Sequence, residues 1–163
     1  MNILTESLVE ETIQAVQEAG ACLSDPTALR CVRTKSKTDY VTNVDLAVQE
    51  LLRERLAALA PDVQFMGEEQ DNTGLDWSRP CWILDPVDGT TNLIHNFRHS
   101  AVSLALSEAG QILFGVVYNP YSGECFTARR GQGAFCNGSP IRVSSADRLE
   151  DSLLSVGTVP GRR

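Results

Sequence analysis

Positive charge is scarce in this sequence. Fourteen Lys and Arg stand against 21 Asp and Glu among 163 residues, a formal net charge of −7, and the isoelectric point lies near 4.8. That balance excludes a general electrostatic footprint for nucleic acid or an anionic membrane, so neither is expected as a partner. Any anionic ligand has to be gripped by local chemistry. Paired cysteines are lacking as well: Cys22, Cys31, Cys81, Cys125 and Cys136 are odd in number, widely spaced and form no C-x-x-C pair. Reduced, mostly buried thiols in a cytosol fit that pattern. No apolar run approaches membrane-spanning length, and the opening MNILTESLVEETIQ has acids where a signal peptide needs positive charge followed by an apolar block. The expectation is a soluble, cytoplasmic protein.

What is present suffices for one folded domain, since 42% of the residues are hydrophobic and 21% charged. Ser7 and Glu10 form a capping-box pattern, with Val9, Ile13 and Val16 at helical spacing behind it, which predicts a first helix ending near Gly20. A second helix is predicted from a Thr42 cap, with Val48, Leu51, Leu52, Leu56 and Leu59 on one stripe and Pro61 closing it. QFMGEE and CWILD read as short strands that end in acids. From Ser100 onward five strand-like runs are separated by AG, PYSG, RGQG and NGS, which predicts an antiparallel meander. The expected fold class is α+β, with two N-terminal helices packed on a mostly antiparallel sheet.

The stretch CWILDPVDGTTNLIHNF sets Asp85 and Asp88 around Pro86 where an apolar run stops. Hard divalent cations such as Mg²⁺ take oxygen ligands and few carboxylates, leaving room for water and phosphate. The carbonyl of Val87, between the two acids, offers a further oxygen. Gly89, Thr90 and Thr91 resemble the opening of a short helix, where free N–H groups favour a phosphate. An ordinary turn with its acids facing water explains DPVDG equally well. Glu68 and Glu69 in GEEQ, taken alone, read as solvated surface. Thr42 and Asp45 are accounted for by a capping box, a reading compatible with Asp45 also facing a neighbouring hydroxyl. His95 and His99 have no partners at metal-ligand spacing and are read as ordinary hydrogen-bonding residues. Trp82 reads as core, and Arg129 and Arg130 read as a solvated turn.

Together WILDPVDGTTNLIH, the upstream KSKTDYVTNVD and FMGEE, and the later GVVYNPYSGECFTARRGQGAFCNGSPIRVS resemble the inositol monophosphatase family, the magnesium-dependent, lithium-sensitive sugar phosphatases. The motifs occur in order and the resemblance runs from Lys35 onward. It implies the first half of a layered αβαβα fold. Glu68, Asp85 and the Val87 carbonyl would bind a first Mg²⁺, and Asp85 would bridge to a second ion also held by Asp88. The complete family fold uses two or three ions. Gly89 and Thr90 would donate N–H groups to the substrate phosphate with Thr91 nearby. Thr90 paired with Asp45 would orient and deprotonate the attacking water, with Glu68 beside it and Lys35 near the same network.

The reaction so implied is hydrolysis of a phosphate monoester of inositol or a related polyol or sugar, by in-line attack of water, in a homodimer. DGTTNLIH resembles the inositol phosphate type more than the DGTKEF of 3'-phosphoadenosine nucleotidases or the DGTRSF of histidinol phosphatases. A nucleotide 3'-phosphatase or fructose-1,6-bisphosphatase branch is the alternative within the family. The family continues past LLSVGTVPGRR with a second α/β half of roughly another hundred residues, which carries a WD-x-A motif completing the second metal site. Neither Trp77 nor Trp82 matches that motif. The expectation is therefore that residues 1–163 form the N-terminal α+β domain, that catalysis by this chain alone is impaired, and that part of its sheet needs a cover. A non-catalytic dimerisation or regulatory module with the same fold is the reading from outside enzymology.

Overall fold

Two helices lie side by side on one face of a sheet that runs in chain order. The computed structural model describes residues 3–25, 32–36 and 39–156, with the side chains of 34–36 and 39–40 outside the description. Helix α1 spans Glu6–Ser24. A hairpin of β1, Val32–Ser36, and β2, Asp39–Thr42, leads into α2, Asn43–Leu59. The sheet follows as β3 (Gln64–Gly67), β4 (Cys81–Asp88), β5 (Ala101–Glu108), β6 (Gln111–Asn119), β7 (Glu124–Arg129), β8 (Gly133–Cys136) and β9 (Ser139–Ile141). Among the described strands only β3 and β4 are parallel; every later pair is antiparallel. A short helix, α3 (Thr90–Ile94), sits between β4 and β5. The α+β class and the meander are as expected from the sequence.

Alternation along the strands decides which face the helices cover. Val102, Leu104 and Leu106 of β5 and Phe114 and Val116 of β6 point to the helix side, where Trp82 and Leu84 of β4 join them. Against them α2 presents Val44, Val48, Leu52 and Leu56, all within 1% of complete burial, and α1 presents Val16 and Ala19. Leu51 and Leu59, expected on the α2 stripe, are only half-buried at its margin. Burying each such aliphatic side chain contributes about 1.5–3 kcal/mol, so this one layer supplies most of the driving force.

The first helix differs from expectation at both ends. Its cap is Thr5, whose Oγ1 accepts the Leu8 N–H at 3.2 Å, while Ser7 instead donates to Glu11 at 2.7 Å. Gly20 does not end the helix. A Cβ there would come within 2.5 Å of the Tyr118 ring, so this glycine makes room for an aromatic side chain from β6 and the helix continues to Ser24. Its end is fastened by the Tyr121 hydroxyl, which donates to the Leu23 carbonyl at 2.7 Å and satisfies an acceptor left without an intrahelical partner. Arg129 also departs from expectation. Rather than lying on a solvated turn it closes β7, is 16% exposed, and pairs with Glu6 at 2.6 Å across the first turn of α1.

The opposite face of the sheet is open. Ala105, Gly115, Ala128 and Ala134 stand in register across four strands and floor an apolar trough of about 340 Å³, bordered by Val117, Phe126 and Ile141. From 142 to 156 the chain is exposed, with Val143, Leu149, Leu153, Leu154 and Val156 in solvent. Cys81 and Cys125 are buried, and burial pushes both thiols up, which keeps them protonated and inert. No helix among the described residues is long and apolar enough to cross a membrane. The revised cap gives a direct check: Thr5→Ala should cost about 1 kcal/mol in chemical denaturation, as loss of a cap does, whereas Ser7→Ala should stay within about 0.5 kcal/mol, as a surface change does.

Candidate metal and phosphate site

In a regular strand Asp85 and Asp88, three residues apart, would face opposite sides of the sheet. They do not, because β4 carries an extra residue there: Asp85 pairs with Ser103 and Asp88 with Ala101, so three steps on β4 match two on β5. Ser103 and Ala101 share a face, and the bulge turns both acids toward it. Val87, in between, is turned into the core at 2% exposure. Its N–H donates to Asp85 Oδ1 at 3.1 Å, which fixes that carboxylate against its own backbone.

Glu68 arrives from the neighbouring parallel strand. The turn carrying it is held by α2, where Gln49, 7% exposed, accepts the Glu69 N–H at 2.9 Å. On the other side Asn72 donates to the Gly67 carbonyl at 2.7 Å and accepts the Gly67 N–H at 3.3 Å. The Glu68 N–H donates to the Leu84 carbonyl at 3.2 Å, which continues the β3–β4 ladder. Neither Gln49 nor Asn72 has any local sequence signal for this work.

The start of α2 contributes a third element. Thr42 and Asp45 form a complete capping box. Asp45 Oδ2 accepts from the Thr42 N–H at 2.9 Å and from the Thr42 hydroxyl at 2.5 Å. Its other oxygen, Oδ1, lies 3.2 Å from the Thr90 hydroxyl, which is also 3.0 Å from the Val87 carbonyl. One proton on Thr90 is thus shared between two acceptors. Asp45 is 2% exposed. The same carboxylate therefore caps a helix and faces the site, as the sequence allowed.

Gly89 links the acids to α3. It adopts φ 89°, ψ 40°, a left-handed conformation that other residues enter only with strain, and caps α3. A Cβ there would also meet the His99 carbonyl oxygen at 3.0 Å. The Gly89 carbonyl accepts the Ser100 hydroxyl at 2.9 Å and the Leu93 N–H at 3.0 Å. Asn92 donates to the His99 carbonyl at 2.8 Å and closes the loop onto the helix.

The acids are in mutual tension. Asp85 is pushed up to about 7 from the ordinary 3.8, first by burial, then by the charges of Glu68 and Asp88 and by a side-chain hydrogen bond with Glu68; the Val87 N–H partly offsets this. Bringing three carboxylates so close costs free energy that a bound cation relieves, and their oxygens suit a hard divalent ion. The residues therefore fit such an ion. Among the described residues no three His, Cys, Asp or Glu side chains already stand as a finished metal cage.

Of the residues singled out in the sequence, Glu68, Asp85, Asp88, Val87, Thr90 and Asp45 meet in one region. Thr91 lies in the first turn of α3, half-buried. Lys35 lies on β1, and its side chain is outside the described residues. His95 and His99 are exposed, the latter in an edge contact with Phe97 at 6.2 Å. Trp82 is core at 1% exposure, as expected.

A bulged strand that gathers acids beside a left-handed glycine and a paired threonine hydroxyl has the donor set of a cation-handling site. The model of the inositol monophosphatase family matches residues 4–163. An inositol-1-monophosphatase of Rhizobium meliloti is 38% identical over 157 residues, covering 93% of this chain and 58% of the relative. Among solved structures, the extragenic suppressor protein suhB of Bartonella henselae superposes with a TM-score of 0.83 at 38% identity, over 89% of this chain and 57% of that one. A staphylococcal inositol monophosphatase-1, in a LiCl-soaked inhibitory complex, gives 0.80 at 28% identity, over 90% and 57%. The chain belongs to the inositol monophosphatase family. It spans less than two thirds of the length of each of these relatives.

The raised Asp85 fixes the sign of a pH effect. Without a cation, a carboxyl whose folded value is raised favours folding below its unfolded value near 4, and that contribution is lost as pH climbs through about 7. A divalent cation needs the deprotonated form, so its binding here would release a proton and tighten up to about tenfold per pH unit below 7. Calorimetric titration with Mg²⁺ between pH 6 and 8 should show this rise, and Asp85→Asn should remove both the binding and its pH dependence.

Proposed function

We propose that this chain supplies the metal- and phosphate-binding half of a Mg²⁺-dependent phosphatase that hydrolyses phosphate monoesters of inositol or related polyols. The observation that carries the reading is the gathering of Glu68 and Asp88 around a half-buried Asp85, which burial first and then their charges push up to about 7, beside the Thr90–Asp45 hydroxyl–carboxylate pair. Divalent cations, when bound there, neutralise phosphate charge and make water more acidic. Glu68, Asp85, the Val87 carbonyl and Asp88 would hold them. Thr90 takes a hydrogen bond from a water, and Asp45 receives the proton relayed through that hydroxyl. The N–H groups of Gly89 and Thr90 grip the phosphate, with Thr91 at its edge. Lys35 stands as a positive charge near that water. Lithium inhibition follows if the relationship to the LiCl-soaked staphylococcal enzyme extends to this site.

The open trough supports a second part of the proposal. An apolar floor in register across four strands is a poor solvent-facing surface, and we assign its cover to the further length of family fold that the relatives carry. A WD-x-A aspartate there would complete the second ion's ligands. A homodimer and a cytoplasmic location belong to the same reading, with related sugar phosphates in the substrate class beside inositol and polyol phosphates.

Phosphate release from inositol 1-phosphate by the full-length polypeptide, with Mg²⁺ and with or without Li⁺, tests it. Asp85→Asn and Asp88→Asn should each lower kcat/KM by about 10²-fold or more, the scale for removing one preorganised electrostatic group. Release that is absent, or indifferent to both substitutions, removes the proposal.

A further inference from the structure

We infer that Ser100 is a positioning residue: its hydroxyl locks the peptide plane between Gly89 and Thr90 so that the Thr90 N–H is aimed at the phosphate. The inference rests on the proposed phosphate role of Gly89 and Thr90 and adds to it a residue from a different element. The argument is one of peptide geometry. No described peptide bond is cis, and in a planar trans peptide the carbonyl and the following N–H point in opposite directions. Whatever anchors the Gly89 oxygen therefore aims the Thr90 hydrogen. That oxygen takes two donors, the Leu93 N–H at 3.0 Å and the Ser100 hydroxyl at 2.9 Å, which uses both of its lone pairs.

A lock is needed at this point because Gly89 has no side chain to limit its rotation. The Leu93 bond alone belongs to the single turn of a five-residue helix, and a helix that short is marginal by itself. Ser100 is well placed to act as that lock. It is 3% exposed, it immediately precedes β5, and its backbone is held next to His99, whose carbonyl accepts from Asn92 at 2.8 Å. The hydroxyl thus reaches Gly89 from the residue that enters β5, directly against the sheet. It also ties the phosphate grip to the carboxylates, because Ala101, the next residue, pairs with Asp88 across the bulge.

The test uses ¹⁵N NMR titration of the chain with inorganic phosphate in the presence of Mg²⁺, following the Gly89 and Thr90 amides. Wild type should show saturable shifts at both. Ser100→Ala should weaken phosphate binding about tenfold, the scale of one lost hydrogen bond, with Mg²⁺ affinity and melting temperature nearly unchanged. Ser100→Thr, which keeps the hydroxyl, should restore binding to within about twofold of wild type. Phosphate binding by Ser100→Ala equal to wild type overturns the inference and leaves the proposed function standing. A parallel loss of Mg²⁺ and phosphate binding in Ser100→Ala, or a threonine variant as weak as the alanine one, overturns it in favour of a purely structural role. Wild type that binds neither Mg²⁺ nor phosphate removes the functional reading and the inference with it.

Discussion

Carboxylates do not collect at one point unless the backbone forces them to. Here the force is one extra residue in β4 between Asp85 and Asp88, which cancels the alternation of the strand and puts both acids on the face shared by Ser103 and Ala101. The parallel pairing of β3 with β4 brings Glu68 alongside. Every other feature of the site depends on holding that arrangement against mutual repulsion. Asp85 is pushed up first by its burial and then by the charges of Glu68 and Asp88. The core on the helix side supplies the resistance, with Trp82, Leu84 and Val87 of the same strand turned inward and almost fully buried.

The start of α2 shows how structure and chemistry are made from the same atoms. Asp45 satisfies helix-end donors through one oxygen and reaches Thr90 through the other. Its low exposure would be costly for a lone charge, but the hydrogen bonds from Thr42 and Thr90 offset that cost. Because the carboxylate belongs to a helix cap, its position relative to α2 is set by folding rather than by a ligand. Gln49, one helical turn further on, fixes the turn that carries Glu68. A single helix thereby registers two parts of the site against β4.

The sequence made the local features legible. The turn residues between strands marked the meander, Thr42 marked the start of α2, and DPVDGTT marked the place where the acids gather, because each works through neighbours within a few positions. Features that depend on distant partners were hidden. Gly20 looked like a helix stop because nothing local shows that the Tyr118 ring packs against it. Ser7 with Glu10 looked like a cap, but Thr5 takes that place. The hairpin of β1 and β2 is too polar to show an alternating pattern, so nothing local marks its strands. Gln49, Asn72 and Ser100 act on residues brought near by the fold, and Arg129 finds Glu6 from more than a hundred residues away. The family of the chain was legible for the opposite reason: its motifs are contiguous.

Paramagnetic broadening by Mn²⁺, added at substoichiometric concentration as a stand-in for Mg²⁺, tests the central claim most directly, since it maps where the protein gathers a divalent cation without requiring turnover. The account predicts that amide signals of Glu68, Glu69, Asp85 and the stretch from Val87 to Thr90 vanish first, and that Asp85→Asn restores them. Broadening spread over the surface acids of α1 and α2, such as Glu10, Glu11, Glu50 and Glu54, with the β4 bulge untouched, would contradict it.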